Sequence, residues 1–169
     1  MNKLRIALVV QLLFFLGWGA YLLASRDSSA PEFYLETEPV DPRDLISGTY
    51  VALNYRISSP EAPSCAALMR NSLSMYVRLA DSGRTVNTVD GPVPVYDAAE
   101  CAAKAPAGPG WARASIQPSS WRPTARYGIE KFFVNENDPR KDLRSGSVVA
   151  KVKLGAGGQL LLLDLVNKI

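Results

Sequence analysis

Polar and apolar positions along the chain fall into two regimes. From Ile6 to Ala24 the sequence reads IALVVQLLFFLGWGAYLLA, nineteen residues without a charge and with Gln11 as the one strongly polar side chain. A run of this kind predicts a helix rising about 28 Å, close to the roughly 30 Å hydrocarbon core of a bilayer. From Glu32 onward the pattern changes to short runs rich in β-branched and aromatic residues, broken by Pro, Gly, Asn and Asp, which predicts strands and turns. The clearest runs are Phe33–Glu38, Tyr50–Ser58, Ser74–Leu79, Arg126–Val134, Ser147–Lys153 and Gln159–Val166.

Several of these runs alternate. Val51, Leu53, Tyr55 and Ile57 form one face of the second run, opposite Tyr50, Ala52, Asn54 and Arg56, and are the predicted core face. Val148, Ala150, Val152 and Leu154 repeat the device opposite Lys151 and Lys153, and residues 155–158 then turn the chain into Leu160–Leu165, which predicts a C-terminal hairpin. Other segments fit poorly. Residues 59–72 combine prolines with CAALMRNS; Tyr96–Lys104, rich in alanine and charge, predicts about two turns of surface helix; Ser115–Pro123, which includes Trp121, predicts an ordered loop. The expected fold class is mainly β, an antiparallel barrel or sandwich behind one N-terminal transmembrane helix, because short strands and turns without long helical crossovers favour those forms.

Lys3 and Arg5 precede the apolar run, so the positive-inside bias places the N-terminus in the cytoplasm and exports the rest. The predicted layout is a cytoplasmic N-terminus over 1–5, a transmembrane anchor over 6–24, a hinge over 25–31 and an exported β-rich domain over 32–169. A cleaved signal peptide is the competing reading. Cleavage after Ala24 puts Leu22 at the other recognition position, and cleavage after Ala30 puts Pro31 directly beyond the cut, so neither site fits well. Both readings export the domain.

Charge and composition narrow the chemistry. Setting aside Lys3 and Arg5 leaves 17 of the 19 basic residues against 16 acidic ones, a balance that argues against an electrostatic nucleic-acid binder. The chain has no histidine, which removes the commonest general base and metal ligand and every Ser-His or Cys-His dyad. Cys65 and Cys101 both lie in the exported segment, where thiols tend to pair. Their bridge closes a loop of about 36 residues, worth roughly 3–4 kcal/mol on the chain-entropy model. A reactive thiol is the weaker alternative, since only Lys104 lies nearby in sequence. Two cysteines without histidine make no zinc site, and no phosphate-binding or dinucleotide glycine motif is present, so no cofactor and no metal is expected.

Two blocks of sequence carry a resemblance. Asp41, Pro42, Arg43 and Asp44 are followed by Gly48, Tyr50, Leu53 and Tyr55; further on come Arg126, Tyr127, Gly128 and Glu130 in RYGIEKFFV, with Glu136 beyond. Together they resemble the bacterial GDYXXLXY family, named for a Gly-Asp-Tyr-x-x-Leu-x-Tyr motif that follows an Asp-Pro-Arg-Asp turn. This chain departs from the pattern at Thr49, in place of the Asp, and at Ser47, where an Arg is common. The resemblance implies a bacterial envelope protein of the inner membrane with a periplasmic C-terminal domain. It also implies a multispanning membrane protein as partner, beside the bilayer contacted through residues 6–24, and it implies no catalytic residue.

The residues themselves give these motifs a structural reading. Asp41 and Pro42 set a turn, Gly48 admits the chain to the next strand, and Arg43, Asp44, Arg126 and Glu130 pair to hold two segments together. Two enzymatic alternatives stand beside it. A Ser-Lys hydrolase needs a desolvated lysine, with Ser47, Ser74 and Lys131 as candidates. A carboxylate pair for acid-base work has Asp41, Asp44, Glu130 and Glu136 to draw on. Residues 135–139, NENDP, offer oxygen ligands for a cation but read first as a turn. The expected function is therefore a membrane-anchored extracytoplasmic binding or assembly module, an accessory subunit of a membrane complex, with the hydrolase as its alternative.

Overall fold

The computed structural model describes residues 2–24, 30–39, 50–119, 122–135, 138, 140 and 143–169. The chain divides into two compact units, Met1–Ala30 and Pro31–Ile169. The first holds one helix, α1, over Asn2–Ala24. Its apolar side chains stand exposed along its length, from Ile6 through Phe14 and Phe15 to Tyr21. The expected membrane span is not supported by the described part of α1: among the described residues no helix is long and apolar enough to cross a membrane.

The second unit is mainly β, a sheet curled into a half-barrel rather than a closed barrel or a sandwich. In chain order it contains β1 (Glu32–Glu38), β2 (Tyr50–Ala52), β3 (Asn54–Tyr55), a 3-10 turn (Arg56–Ser58), α2 (Pro63–Asn71), β4 (Ser74–Thr88) and β5 (Gly91–Ala102). There follow β6 (Trp111–Gln117), β7 (Thr124–Arg126), β8 (Lys131–Phe133), β9 (Val148–Leu154) and β10 (Leu160–Asn167). The main sheet runs β10-β9-β1-β5-β4-β6-β7, with β3 paired to β1, while β2 and β8 form a separate ribbon. All pairs are antiparallel except β1 with β5, which meet in parallel at Leu35 and Tyr96.

Strand alternation sets the core. Phe33 and Leu35 of β1 lie opposite Val152 and Ala150 of β9, and all four are buried. Met75 and Val77 of β4 lie opposite Ala114 and Ala112 of β6, again buried. Val51, Leu53, Tyr55 and Ile57 join this core as their period of two predicts. Short α2 starts at Pro63, where a missing N–H costs nothing, and turns Cys65 and Met69 inward one helical repeat apart. The Cys65–Cys101 disulfide, with Cα atoms 4.9 Å apart, ties α2 to β5.

Three expectations are corrected. Tyr96–Lys104 is not a surface helix: its residues 96–102 are the second half of β5, because backbone pairing with β4 and burial of Cys101 outweigh the helix propensity of its alanines. Ser115–Pro123 is not all loop, since β6 runs through Gln117. The expected strands 50–58 and 126–134 are each broken, at Leu53 and at 127–130.

A hairpin went unpredicted. β4 continues past Leu79 through a bulge at Ser82 and Gly83, and returns as β5 around a tight turn at Val89-Asp90. Its tip meets the C-terminus: Val89 N–H donates to Asn167 O (3.1 Å) and Ile169 N–H to Asn87 O (3.0 Å). On the sheet face away from the main core, Val166 neighbours Val149, which neighbours Glu36. Glu36 accepts from Arg84 (2.8 Å) and Lys168 (3.3 Å), and Arg84 also reaches Asp97 (3.1 Å). Burial alone would raise the Glu36 carboxyl, but the bonds from Arg84 and Lys168 hold it below the usual carboxylate range.

The β9–β10 turn shows how closely elements approach. Gly158 takes φ +80°, and a Cβ there would lie 2.7 Å from the Trp111 carbonyl oxygen. Gly158→Ala is therefore expected to lower stability by about 2 kcal/mol or more, through both the left-handed backbone and the clash with main chain. A denaturation midpoint unchanged from wild type would show that this turn does not rest on β6.

Candidate functional site

The two sequence blocks that drew attention meet in space. β2 and β8 pair through Tyr50 with Phe133, Val51 with Phe132 and Ala52 with Lys131. Just past the ribbon, Leu53 N–H donates to Glu130 O (2.8 Å), continuing the same antiparallel register by one residue. Beyond it two tyrosines cross over. Tyr55 Oη donates to Ile129 O (2.7 Å), and Tyr127 Oη donates to Ile57 O (2.8 Å), so each block satisfies a carbonyl of the other.

Both rings are buried, as are Ile57 and Ile129. A buried carbonyl without a donor costs about 1–3 kcal/mol, so these hydroxyls supply what an irregular segment cannot obtain from a strand partner. Glu130 closes the second block on itself: Oε1 accepts from Tyr127 N–H (2.6 Å) and Oε2 from Gly128 N–H (3.0 Å). Gly128 adopts φ +82°, a conformation that glycine supplies without strain and that lets both N–H groups face one carboxylate. Burial, with the Glu130 charge adding to it, pushes both tyrosine hydroxyls above their ordinary range, which keeps them neutral donors.

The crossover borders a cleft of about 430 Å³ between β7 on one side and the β2–β8 ribbon on the other. Tyr50, Asn54, Ser58, Thr124, Arg126 and Lys131 are among its lining residues. Arg126 and Lys131 are exposed, and the Lys131 ammonium sits 4.5 Å from the Tyr50 ring centroid. Glu130 also borders the cleft, but both its oxygens are engaged on backbone N–H groups.

The structure thus brings together Tyr50, Leu53, Tyr55, Arg126, Tyr127, Gly128 and Glu130. Asp41, Pro42, Arg43, Asp44, Gly48 and Glu136 lie outside the described residues, and so does the candidate nucleophile Ser47. Ser74 is exposed at the start of β4, and Lys131 is exposed on β8 rather than desolvated, which is not the environment a Ser-Lys pair requires. Asp138 of the oxygen-rich turn is drawn to Arg140 (2.7 Å), which also reaches Asp164 (3.0 Å). Among the described residues no three Asp, Glu or Cys side chains gather as a metal-ligand set. Chemically, then, the described site offers structural donors already spent and two cations turned to solvent.

Some residues that hold this region escaped the sequence reading. Thr37, buried on β1, donates to Val148 O and accepts from Gly146 N–H (2.9 Å); Ser145 Oγ accepts from Asn54 N–H (3.0 Å) and donates to Glu38 O. A lone polar residue on the inward face of a strand, as Thr37 is between Leu35 and the end of β1, is the one signal that pointed to them.

The second unit is mainly β, and its two motif blocks exchange tyrosine bonds. The chain belongs to the GDYXXLXY family, whose model matches residues 12–165. No curated protein and no solved structure matches it.

The crossed tyrosines make stability depend on alkaline pH. Above about pH 10 the unfolded chain ionises its tyrosines while the folded chain keeps Tyr55 and Tyr127 neutral. Stability present in full below that pH falls as pH climbs, by about 1.4 kcal/mol per pH unit for each group. Ultraviolet titration should leave two of the seven tyrosines silent until circular dichroism reports unfolding. Reversible ionisation of all seven in the folded chain would contradict this assignment.

Proposed function

We propose that this chain is a membrane-anchored, extracytoplasmic binding and assembly module, an accessory subunit that docks on a multispanning protein of the bacterial inner membrane. One observation carries the reading: α1 is apolar on all sides and forms a compact unit by itself, without the polar face that a surface helix of a globular protein has. The helix covers Asn2–Ala24, and its uncharged part, 6–24, rises about 28 Å, close to a hydrocarbon core of about 30 Å. Lys3 and Arg5 at its start support a cytoplasmic N-terminus.

The bridged cysteines support export of the second unit, since disulfides persist in oxidising compartments. The assembly role draws on the site. Tyr55 and Tyr127 donate to carbonyls and Glu130 accepts from backbone N–H groups, which leaves Arg126 and Lys131 as cations suited to holding a partner.

Alkaline carbonate should leave the full chain in the membrane pellet of its own cells. Mild-detergent purification should recover a multispanning protein at near-equal ratio. Release of the chain into the carbonate supernatant, or its recovery alone and monodisperse, would contradict the anchor and the assembly role respectively.

A further inference from the structure

We infer that the cleft between β7 and the β2–β8 ribbon is the docking slot for an acidic segment of a protein partner, held through Arg126 and Lys131. The inference rests on the docking role proposed above and adds the chemistry of what is docked. The cleft, of about 430 Å³, is open to solvent and has room for a few side chains of a partner. Among the described residues neither Arg126 nor Lys131 makes an ion pair, whereas Arg56, Arg78, Arg84, Arg140, Lys151 and Lys168 each meet a carboxylate. Other described cations, Arg70, Arg113 and Arg122 among them, also lack a carboxylate partner; Arg126 and Lys131 are the two that line this cleft.

The acid that stands between them in sequence does not neutralise them from within. Glu130 is turned onto the N–H groups of Tyr127 and Gly128, and removing it would cost the turn those two bonds. Asn54, Ser58 and Thr124 add polar side chains to the wall, and Tyr50 adds an aromatic face. A peptide that alternates carboxylates with small polar or aromatic residues matches charge with charge and ring with ring. The walls are also held firmly, because the crossed tyrosine bonds fix the 3-10 turn that carries Ser58 against the block that carries Arg126. Little ordering of the slot is then required on binding.

The test uses the full chain in nanodiscs of zwitterionic lipid. The probe is a short synthetic peptide alternating Glu with Ser and Tyr, and its Lys-for-Glu counterpart is the control. Wild type should bind the Glu peptide and not the Lys peptide, with affinity falling as salt rises. Arg126→Gln with Lys131→Gln should weaken binding roughly tenfold or more, while Lys131→Arg retains it. Both positions are exposed, so thermal melting should show the variants folded. Equal binding by the double variant would overturn the slot. So would displacement of the peptide by phosphatidylglycerol vesicles, which would make the cations a lipid-headgroup site. Purification from native membranes separates this inference from the one beneath it. A partner recovered equally with wild type and double variant overturns the slot and leaves the docking role intact, whereas no partner with wild type removes the docking role itself.

Discussion

Two hydroxyl groups that cross between distant parts of the chain, Tyr55 to Ile129 and Tyr127 to Ile57, join two segments whose strands are short and interrupted. The main sheet needs little explanation beyond alternation, because its strands satisfy their own backbone groups. The segments 50–58 and 126–133 are different. Each begins as a strand, leaves it after a few residues, and would bury carbonyl groups without partners if the other segment were absent. The crossed bonds answer that deficit from both sides, and Glu130 does the same for the N–H groups of the intervening turn. The exchange fixes the 3-10 turn against the block that leads into β8, beside the cleft between β7 and the ribbon.

That dependence explains which parts of the molecule were legible beforehand. The alternations in 51–57 and 148–152 announced their buried faces because a half-buried strand leaves a period of two in the sequence. The cysteine pair was legible because an even number in one predicted exported segment pointed to a bridge. The helix expected at 96–104 failed because a local preference of alanine cannot register that Cys101 must lie beside α2, or that β4 runs alongside. The long β4–β5 hairpin was missed although Asp90-Gly91 marked its tip, since prolines at 92 and 94 and the Asp81-Ser82-Gly83 bulge masked the strands on either side. Of the motif residues, those described at 50–55 and 126–130 lie together in space. Their reciprocal bonding was not legible, since the two blocks stand some seventy residues apart and sequence spacing does not say which hydroxyl meets which carbonyl.

The reverse side of the sheet adds a second constraint. There the hairpin tip bonds the C-terminal residues 167 and 169, and Glu36, Arg84, Asp97 and Lys168 link β1, β4, β5 and the chain end. Together with the Cys65–Cys101 bridge on α2, this fastens the curl at several places while the cleft remains open. A module so braced suits a role in which a preformed surface is presented to a partner, which is the part the proposed docking function assigns to it.

The most direct test of this account is a double-mutant cycle on the crossed tyrosines, Tyr55→Phe, Tyr127→Phe and both together, read by chemical denaturation of the full chain. If the two bonds act as one clasp, each single change costs about 1–3 kcal/mol and the pair costs less than the sum by at least about 0.5 kcal/mol, because breaking either lets both segments relax. Strict additivity, or single variants as stable as wild type, would contradict the central claim that the two blocks hold each other.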